Sequence, residues 1–177
     1  RGARLGALGR FARWQVAARM LGLPVVVPFV NGTQLMMKAG MRGGTSNYYS
    51  GLSHFDEMTY TLHFLRPEDA FGDVGANIGA FTVLAAGGIG CPTISVEPSP
   101  GSFEWLKRNC ALNDLADRVQ LRHCAVGAEE TVLQFSGGAT STVNHLVAPD
   151  EAADAAIEVP VRPLNAIIGD EKPVMLK

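Results

Sequence analysis

The stretch Phe71-Gly72-Asp73-Val74-Gly75-Ala76-Asn77-Ile78-Gly79-Ala80-Phe81 combines a short apolar strand, a glycine turn and the start of a helix. Gly75 lets the backbone turn sharply and approach a ligand, because glycine has no Cβ to clash. Gly79 is expected to let the helix pack closely against the strand, and the first helical turn leaves free N–H groups over the loop. Asp73 adds a carboxylate at the end of the strand. Such a loop suits a ligand of mixed charge, such as an amino acid, better than a pyrophosphate.

The glycine spacing separates two classes of cofactor. A dinucleotide fingerprint needs G-x-G-x-x-G after the strand, whereas the glycines here stand at 72, 75 and 79. The phosphate-binding pattern G-x-x-x-x-G-K-[ST] does not occur in the chain. The observed D-x-G-x-x-x-G is the spacing of class I S-adenosylmethionine methyltransferases, with an ordinary strand-to-helix turn as the alternative.

A second apolar run, Thr93-Ile94-Ser95-Val96-Glu97, ends in a carboxylate 18 residues after Gly79. In doubly wound folds, an acid at this strand end accepts hydrogen bonds from ribose hydroxyls. A solvated strand end is the plainer interpretation of Glu97. The following helix, 100–112, begins with a proline, which costs no hydrogen bond at that position. One face is apolar and the other charged; the two sets are Phe103, Leu106 and Cys110, and Glu104, Lys107 and Arg108.

Strands and helices alternate through the centre of the chain, which predicts a parallel sheet with right-handed crossovers. The predicted strands are 70–74, 93–97 and 118–124, with helices at 78–87 and 100–112. Two further strand-like runs, Thr131–Phe135 and Ile157–Val161, enclose a polar stretch whose part 137–144 is predicted to be a flexible loop.

Two elements are predicted before this core. Asn31-Gly32-Thr33 joins the β-rich runs Val25–Val30 and Gln34–Ala39, and Asn-Gly in that context predicts a hairpin. After a glycine- and serine-rich loop, the stretch from Ser53 to Leu65 predicts a helix capped by Ser53. Its apolar side would consist of Phe55, Met58, Leu62 and Leu65.

Several blocks of the chain resemble the FkbM family of methyltransferases. They read FGDVGANIGAFTVLAA, VEPSPGSFEWLKRNCALN, VQLRHCAVG and VPVRPLNAIIGDEKPVMLK, within about residues 48–177. The resemblance implies an α/β, Rossmann-like class I fold: a mostly parallel sheet flanked by helices, here with an N-terminal helix and β-hairpin extension. Gly72 replaces an aliphatic residue and Asn165 an aspartate of the family. The chain stops at Lys177, before the family's Ile-Asp-Val-Glu-Gly, so we expect a longer protein whose remainder holds much of the acceptor pocket.

The expected cofactor is S-adenosyl-L-methionine. Asp73 and the backbone around Gly75 and Asn77 would hold its amino-acid end, and Glu97 its ribose. Ala125 would border the adenine through backbone contacts, with Cys124 nearby, whereas Asn113 is expected to cap its helix. The full set of expected cofactor-binding residues is Asp73, Gly75, Ala76, Asn77, Gly79, Glu97, Pro98 and Ala125.

A hydroxyl acceptor benefits from a general base within hydrogen-bond reach. The candidates are His145, in the Ser- and Thr-rich loop, and Lys177, at the carboxyl edge of the sheet, where it matches a lysine of the family. Asp56 or Glu57 could line the site, or could equally be acids favoured by the dipole of their helix. The remaining histidines, at 54, 63 and 123, show no metal-ligand spacing, and no metal is predicted.

Charge divides the chain unevenly. Residues 1–55 hold seven basic and no acidic residues, a charge of +7, whereas residues 56–177 hold eight basic and 17 acidic residues, a charge of −9. We therefore separate a basic extension, 1–50, from an S-adenosylmethionine-binding domain, 51–177, incomplete at its C-terminus. Arginines interleaved with Leu5, Leu8, Phe11 and Trp14 indicate an amphipathic helix. A cap packed on the acidic domain is favoured; peripheral membrane contact through residues 1–22 and a nucleic-acid arm stay open.

The three cysteines, at 91, 110 and 124, form no C-x-x-C pair, which indicates a reducing, cytoplasmic location. No run is long enough for a membrane span, and no signal peptide is visible. The expected function is O-methylation of a sugar or secondary-metabolite hydroxyl, with a small-molecule or glycan acceptor. The alternatives are an RNA or DNA methyltransferase, and a cofactor-binding fragment without turnover. The sequence does not indicate an oligomeric state.

Overall fold

The structure, a computed structural model, describes residue 16 and residues 22–38, 41, 47, 51–136 and 156–177. The strands are β1 Val25–Pro28, β2 Gln34–Met37, β3 Phe71–Val74, β4 Thr93–Val96, β5 Val119–Arg122, β6 Ala125–Val126, β7 Thr131–Ser136, β8 Ala156–Arg162 and β9 Met175–Leu176. The helices are α1 Phe55–Phe64, α2 Ala80–Thr82, which continues as a π-helix over Val83–Ile89, α3 Pro100–Leu112 and α4 Leu164–Ile168. The predicted N-terminal helix, apart from residue 16, and the loop 137–144 lie outside the described residues.

The central sheet contains four parallel strands in the order β5-β4-β3-β9. It confirms the predicted α/β fold with a parallel sheet. Gly72 lies opposite Leu176 of β9, and a Cβ on Gly72 would collide with the Leu176 side chain. The glycine at this position therefore leaves room for the leucine of the neighbouring strand.

The predicted hairpin is confirmed, because β1 and β2 pair antiparallel with Val27 opposite Leu35. Its turn contains Asn31 and Gly32 with φ of 48° and 85°, the left-handed conformation that Asn-Gly supplies. Val30 belongs to a single 3₁₀ turn rather than to the strand. Apolar residues of the hairpin share one hydrophobic core with the sheet and helices; they are Val25, Val27, Leu35 and Met37.

The helix after the glycine loop differs from the predicted span of 78–87. It begins at Ala80 and becomes π-helical from Val83 to Ile89. Its last turn lies against the hairpin, where a Cβ on Gly87 would stand 2.7 Å from Thr33 Cγ2. Gly79 precedes the helix with a φ of 90°, and an added Cβ there would stand 2.6 Å from Leu106 Cδ1 of α3.

The prediction that Ser53 caps α1 is wrong. The helix begins at Phe55, with His54 at the cap position and no side-chain cap bond. The Ser53 N–H instead donates to the Asn47 side chain at 2.9 Å. Met58 is fully buried, whereas Phe55, expected on the apolar side, is 64% exposed. The helix therefore packs through a narrower face than its sequence indicates.

Helix α3 spans the predicted residues and docks against the hairpin through two asparagines. Asn109 accepts from the Met36 N–H at 2.6 Å and donates to the Met36 carbonyl at 3.0 Å and the Ile78 carbonyl at 2.8 Å. Asn113, the expected helix cap, stands at the helix end and makes the same pair of bonds to Gln34, both at 2.8 Å. Two polar side chains one helical turn apart thus fasten the helix to β2.

The remaining strands form a second, mixed sheet with the order β6-β8-β7. The two predicted runs pair as an antiparallel unit, with Leu133 opposite Val159. Strand β5 ends at Arg122, before the predicted end at 124, because the chain bends at Cys124 and enters β6. Consequently Ala125 belongs to this second sheet, opposite Val161.

The three cysteines are buried and unpaired. Burial raises the pKa of the Cys91 and Cys124 thiols and that of Cys110 to about 12. They therefore behave as small apolar side chains. Among the described helices, none combines the length and apolar character needed to cross a bilayer.

Candidate functional site: two carboxylates and a glycine loop

The carboxyl ends of β3 and β4 bring two acids together. Asp73 pairs in register with Ser95, and Glu97 follows the last residue of β4. Both carboxylates are buried, with exposed fractions of 0% and 6%. Because the two strands are parallel neighbours, both acids lie at one edge of the sheet, where α/β folds bind ligands.

Asp73 is held by a short chain of hydroxyl groups. Thr82 Oγ1 donates to Asp73 Oδ2 at 2.7 Å and also lies 2.7 Å from Ser95 Oγ, with all three side chains fully buried. The second oxygen, Oδ1, has no hydrogen-bond partner among the described residues, although it lies within ion-pair distance of a lysine. A buried carboxylate oxygen without a hydrogen bond is a place where a ligand donor would be stabilised.

Glu97 is fixed by the backbone on both sides. Its Oε2 accepts from the Asn77 N–H at 2.7 Å and its Oε1 from the Ser99 N–H at 2.8 Å. Each oxygen keeps a further lone pair for a ligand donor. Burial raises the pKa of this carboxyl above its ordinary value of 4.5, against the lowering effect of the two N–H donors.

The loop between β3 and α2 uses its N–H groups internally. The N–H groups of Gly75 and Ala76 both donate to the Val96 carbonyl at 2.9 Å, and the Asn77 N–H is taken by Glu97. The N–H groups of these three loop residues are therefore not free, whereas the expected free N–H groups are those of the first turn of the helix that follows. Gly75 has a φ of 73°, and an added Cβ there would meet open space.

Lys177 lies on this loop, at the end of β9. Its Nζ is 3.2 Å from Asp73 Oδ1 and donates to the Gly75 carbonyl at 3.1 Å. The same atom lies 5.0 Å from the centre of the Phe81 ring. The backbone is anchored as well, because the Lys177 N–H donates to the Gly72 carbonyl at 2.9 Å. The carboxylate, carbonyl and ring face together surround the lysine ammonium.

A cavity of about 120 Å³ opens beside the loop. Small-molecule pockets usually measure roughly 300–1,000 Å³, so this cavity fits one part of a cofactor-sized ligand. Beyond the loop and Lys177, its walls come from the residues just before α1, from α1 and from α2; they include Ser53, His54, Met58 and Phe81. No sequence pattern indicated this wall, although Asp56 and Glu57 of the same helix were candidates for lining the site. Both acids are exposed and neither lines the cavity.

On the far side of Glu97, Pro98 and His123 are in contact. The His123 ring lies 3.1 Å from the Pro98 carbonyl and stacks on Phe103, with ring centres 4.6 Å apart. Cys124 packs among Ile94, Val96 and Ile167. Ala125 is buried against Val159 and Val161. His145 lies outside the described residues.

Residues 73–177, more than half of the chain, match the Methyltransferase FkbM domain. The chain belongs to the FkbM methyltransferase family. Methyl transfer in this family implies S-adenosyl-L-methionine as the cofactor, as the sequence predicts.

Two relatives match this FkbM domain over segments of different length. The 31-O-demethyl-FK506 methyltransferase FkbM of Streptomyces tacrolimicus is 36% identical over 104 residues, which cover 56% of this chain and 38% of that protein. The tRNA (guanine(37)-N(1))-methyltransferase of Xenopus tropicalis is 40% identical over 59 residues, or 33% of this chain and 12% of that protein. Thus the chain spans well under half the length of either relative.

A solved structure is similar to part of the chain. TYW2 of Pyrococcus horikoshii, solved in complex with MeSAdo, has a TM-score of 0.48 and 20% identity, covering 59% of this chain and 37% of that chain.

The residues of the FkbM domain suit S-adenosylmethionine, which carries an ammonium, a carboxylate and a ribose. Asp73 Oδ1 is one of two buried side-chain oxygens without a hydrogen bond among the described residues, with Thr59 Oγ1, and Gly75 leaves open space above the loop. Glu97 has lone pairs left for two hydroxyl donors after its bonds to Asn77 and Ser99. Acceptors for a cation and for a diol therefore lie on adjacent strands.

Proposed function

We propose that this chain is the cofactor-binding part of an S-adenosylmethionine-dependent O-methyltransferase acting on a sugar or secondary-metabolite hydroxyl. The observation that carries the proposal is the pair of buried carboxylates, Asp73 and Glu97, on adjacent parallel strands beside an open glycine loop. The acceptor class is supported by the FkbM relative, whose name describes methylation at an oxygen.

Each residue has a defined role in this proposal. Asp73 and the Gly75 carbonyl hold the amino-acid end of the cofactor, and Glu97 accepts its ribose hydroxyls. Pro98 and Ala125 border the remainder of the nucleoside. Asn77 and Gly79 shape the loop, since Asn77 has a φ of 54° and Gly79 one of 90°. When bound, the cofactor supplies an electrophilic methyl group for in-line displacement, so positioning by these residues provides much of the catalysis.

The proposal includes a general base for the acceptor hydroxyl. Lys177 and His145 remain the two candidates for removing a proton from the acceptor hydroxyl. Lys177 Nζ contacts Asp73 and Gly75, which favours a role at the position of the cofactor's amino acid over one at the acceptor. A small-molecule or glycan acceptor would enter from the side of the cavity that α1 lines.

The full-length protein should bind S-adenosylhomocysteine, the product of methyl transfer, and show no measurable binding of NAD. The reason is the loop, whose acceptors suit an ammonium and whose N–H groups are already used by Val96 and Glu97. Calorimetric titration with both ligands tests the proposal. Preferential binding of NAD would contradict the proposal. If S-adenosylhomocysteine binds, transfer of a labelled methyl group from S-adenosylmethionine identifies the acceptor.

Affinity for S-adenosylhomocysteine should fall as the pH is lowered, with a midpoint above 4.5, the ordinary pKa of a glutamate. Burial raises the pKa of Glu97, and only the ionised carboxylate accepts hydrogen bonds from both hydroxyls. Binding is therefore strong above the raised pKa and is lost as the pH falls through it. Titrations at a series of pH values measure the midpoint.

Glu97→Gln is the control, because an amide does not titrate in this range. At neutral pH it should bind about 5- to 150-fold more weakly, which corresponds to roughly 1–3 kcal/mol for hydrogen bonds to a charged group. Its affinity for S-adenosylhomocysteine should not fall as the pH is lowered toward 4.5. If the affinity of this variant fell with pH as in the wild-type protein, the titrating group would be a residue other than Glu97.

A nucleic-acid methyltransferase is the second candidate. It is favoured by the 59-residue match to a tRNA methyltransferase and by the arginine-rich start of the sequence. Binding driven by phosphate contacts falls steeply with salt. Filter binding of mixed RNA and DNA at two salt concentrations distinguishes the candidates. Tight, salt-sensitive retention that disappears on deletion of residues 1–22 would favour the nucleic-acid enzyme.

A further inference from the structure

The surroundings of the Lys177 ammonium form a complete site for a cation. Asp73 Oδ1 lies 3.2 Å from Nζ, the Gly75 carbonyl oxygen 3.1 Å, and the Phe81 ring centre 5.0 Å. A carboxylate, a carbonyl and an aromatic face all attract positive charge. Asp73 is fully buried and Phe81 is 5% exposed, so water competes weakly at these two groups, whereas the Gly75 contact is exposed.

We propose that Asp73, the Gly75 carbonyl and the Phe81 ring bind the ammonium group of the cofactor's amino acid, and that Lys177 occupies this position as a tethered competitor until the cofactor arrives. The inference rests on the proposed cofactor. In this role Lys177 opposes cofactor binding, so removal of the lysine side chain is expected to strengthen the binding of the cofactor.

Electrostatics decides which end of the amino acid enters this position. A cofactor carboxylate beside the buried Asp73 carboxylate would be repelled, whereas an ammonium is attracted. Two ammonium groups within hydrogen-bond distance of one carboxylate oxygen and one carbonyl repel each other, so the cofactor and Lys177 exclude one another.

Lys177 has a route out of the position. Its side chain is 32% exposed, and a lysine stem has several rotatable bonds, so Nζ can turn into solvent. The backbone need not move, because the Val74 N–H donates to the Lys177 carbonyl at 3.0 Å and the Lys177 N–H to Gly72 at 2.9 Å. The exchange is therefore a side-chain rotation on a fixed strand.

The test compares two ligands on the full-length protein by calorimetry. S-adenosylhomocysteine carries the ammonium, and 5′-methylthioadenosine lacks the whole amino-acid end. Lys177→Met keeps the length of the stem and removes the charge. Lys172→Met makes the same change at an exposed lysine that does not line the cavity.

Lys177→Met should bind S-adenosylhomocysteine roughly 3- to 30-fold more tightly, because apparent affinity is reduced by the fraction of protein whose site is free. Its affinity for 5′-methylthioadenosine should stay within about twofold, and Lys172→Met should change neither. Weaker binding of S-adenosylhomocysteine to Lys177→Met would make the lysine a cofactor ligand, and unchanged binding would exclude competition. A wild-type protein that binds neither ligand would contradict the proposed cofactor itself.

A second measurement needs no substitution. Amine-reactive labelling of Lys177 in the wild-type protein, followed by mass spectrometry, should become faster when S-adenosylhomocysteine is added, because the ammonium moves into solvent. Addition of 5′-methylthioadenosine should leave the labelling rate unchanged. Slower labelling with S-adenosylhomocysteine would overturn the proposal even if Lys177→Met failed to fold.

Discussion

Replacing Gly79 with alanine is expected to lower the free energy of unfolding by about 2–4 kcal/mol. Gly79 has a φ of 90°, a left-handed conformation that residues with a Cβ adopt at a cost. The new Cβ would also stand 2.6 Å from Leu106 Cδ1, and Leu106 is fully buried. Since the leucine has little room to move, strain and overpacking add. Urea denaturation of the full-length protein measures the loss.

Gly75→Ala is the matched control for the Gly79 substitution. Gly75 has a similar φ of 73°, but an added Cβ there meets nothing within 4 Å. Its loss should therefore be the conformational term alone, about 1–2 kcal/mol. Equal losses for the two variants would show that the contact with Leu106 contributes nothing.

Replacing Asn109 with leucine is expected to cost about 3–5 kcal/mol of folding stability. The leucine has a similar shape but leaves three backbone groups without their partner: the Met36 N–H, the Met36 carbonyl and the Ile78 carbonyl. Asn109 is fully buried, so water does not replace these bonds. The midpoint and slope of urea denaturation give the change in free energy.

Asn113→Leu removes the same pair of bonds at the edge of the protein, together with the bond from Asn113 to the Asn109 carbonyl at 2.8 Å. Asn113 binds the N–H and carbonyl of Gln34, and both bonds are exposed. Because water can take the place of this side chain, the expected loss is only about 0.5–1.5 kcal/mol. A loss as large as that of Asn109→Leu would mean that burial does not set the difference.

Local signals in the sequence predicted much of the fold. The Asn31-Gly32 turn, the strand that carries Asp73 and the start of α3 at Pro100 each depend on neighbouring residues, and each is confirmed. The hydrogen bonds of Asn109 depend instead on Met36, 73 residues away. Nothing in the local pattern distinguishes this asparagine from a solvated one.

For the candidate site too, the sequence predicted the local features and missed the contacts between residues that are distant in the chain. The sequence placed Asp73 and Glu97 at adjacent strand ends, and the parallel register agrees. It missed the internal use of the loop N–H groups, because the bond from Gly75 to the Val96 carbonyl forms only when β3 and β4 lie side by side. It also placed Lys177 at the sheet edge without its contact to Gly75, since that contact spans 102 residues.

The asparagines of α3 also affect how the hairpin meets other molecules. A two-stranded sheet is marginally stable alone, and the unpaired edge of a strand can recruit a strand from another chain. On β2, the edge groups of Gln34 and Met36 are taken by Asn113 and Asn109. The helix thereby occupies the place of a third strand. It prevents a strand of another chain from pairing with this edge, which would otherwise favour aggregation.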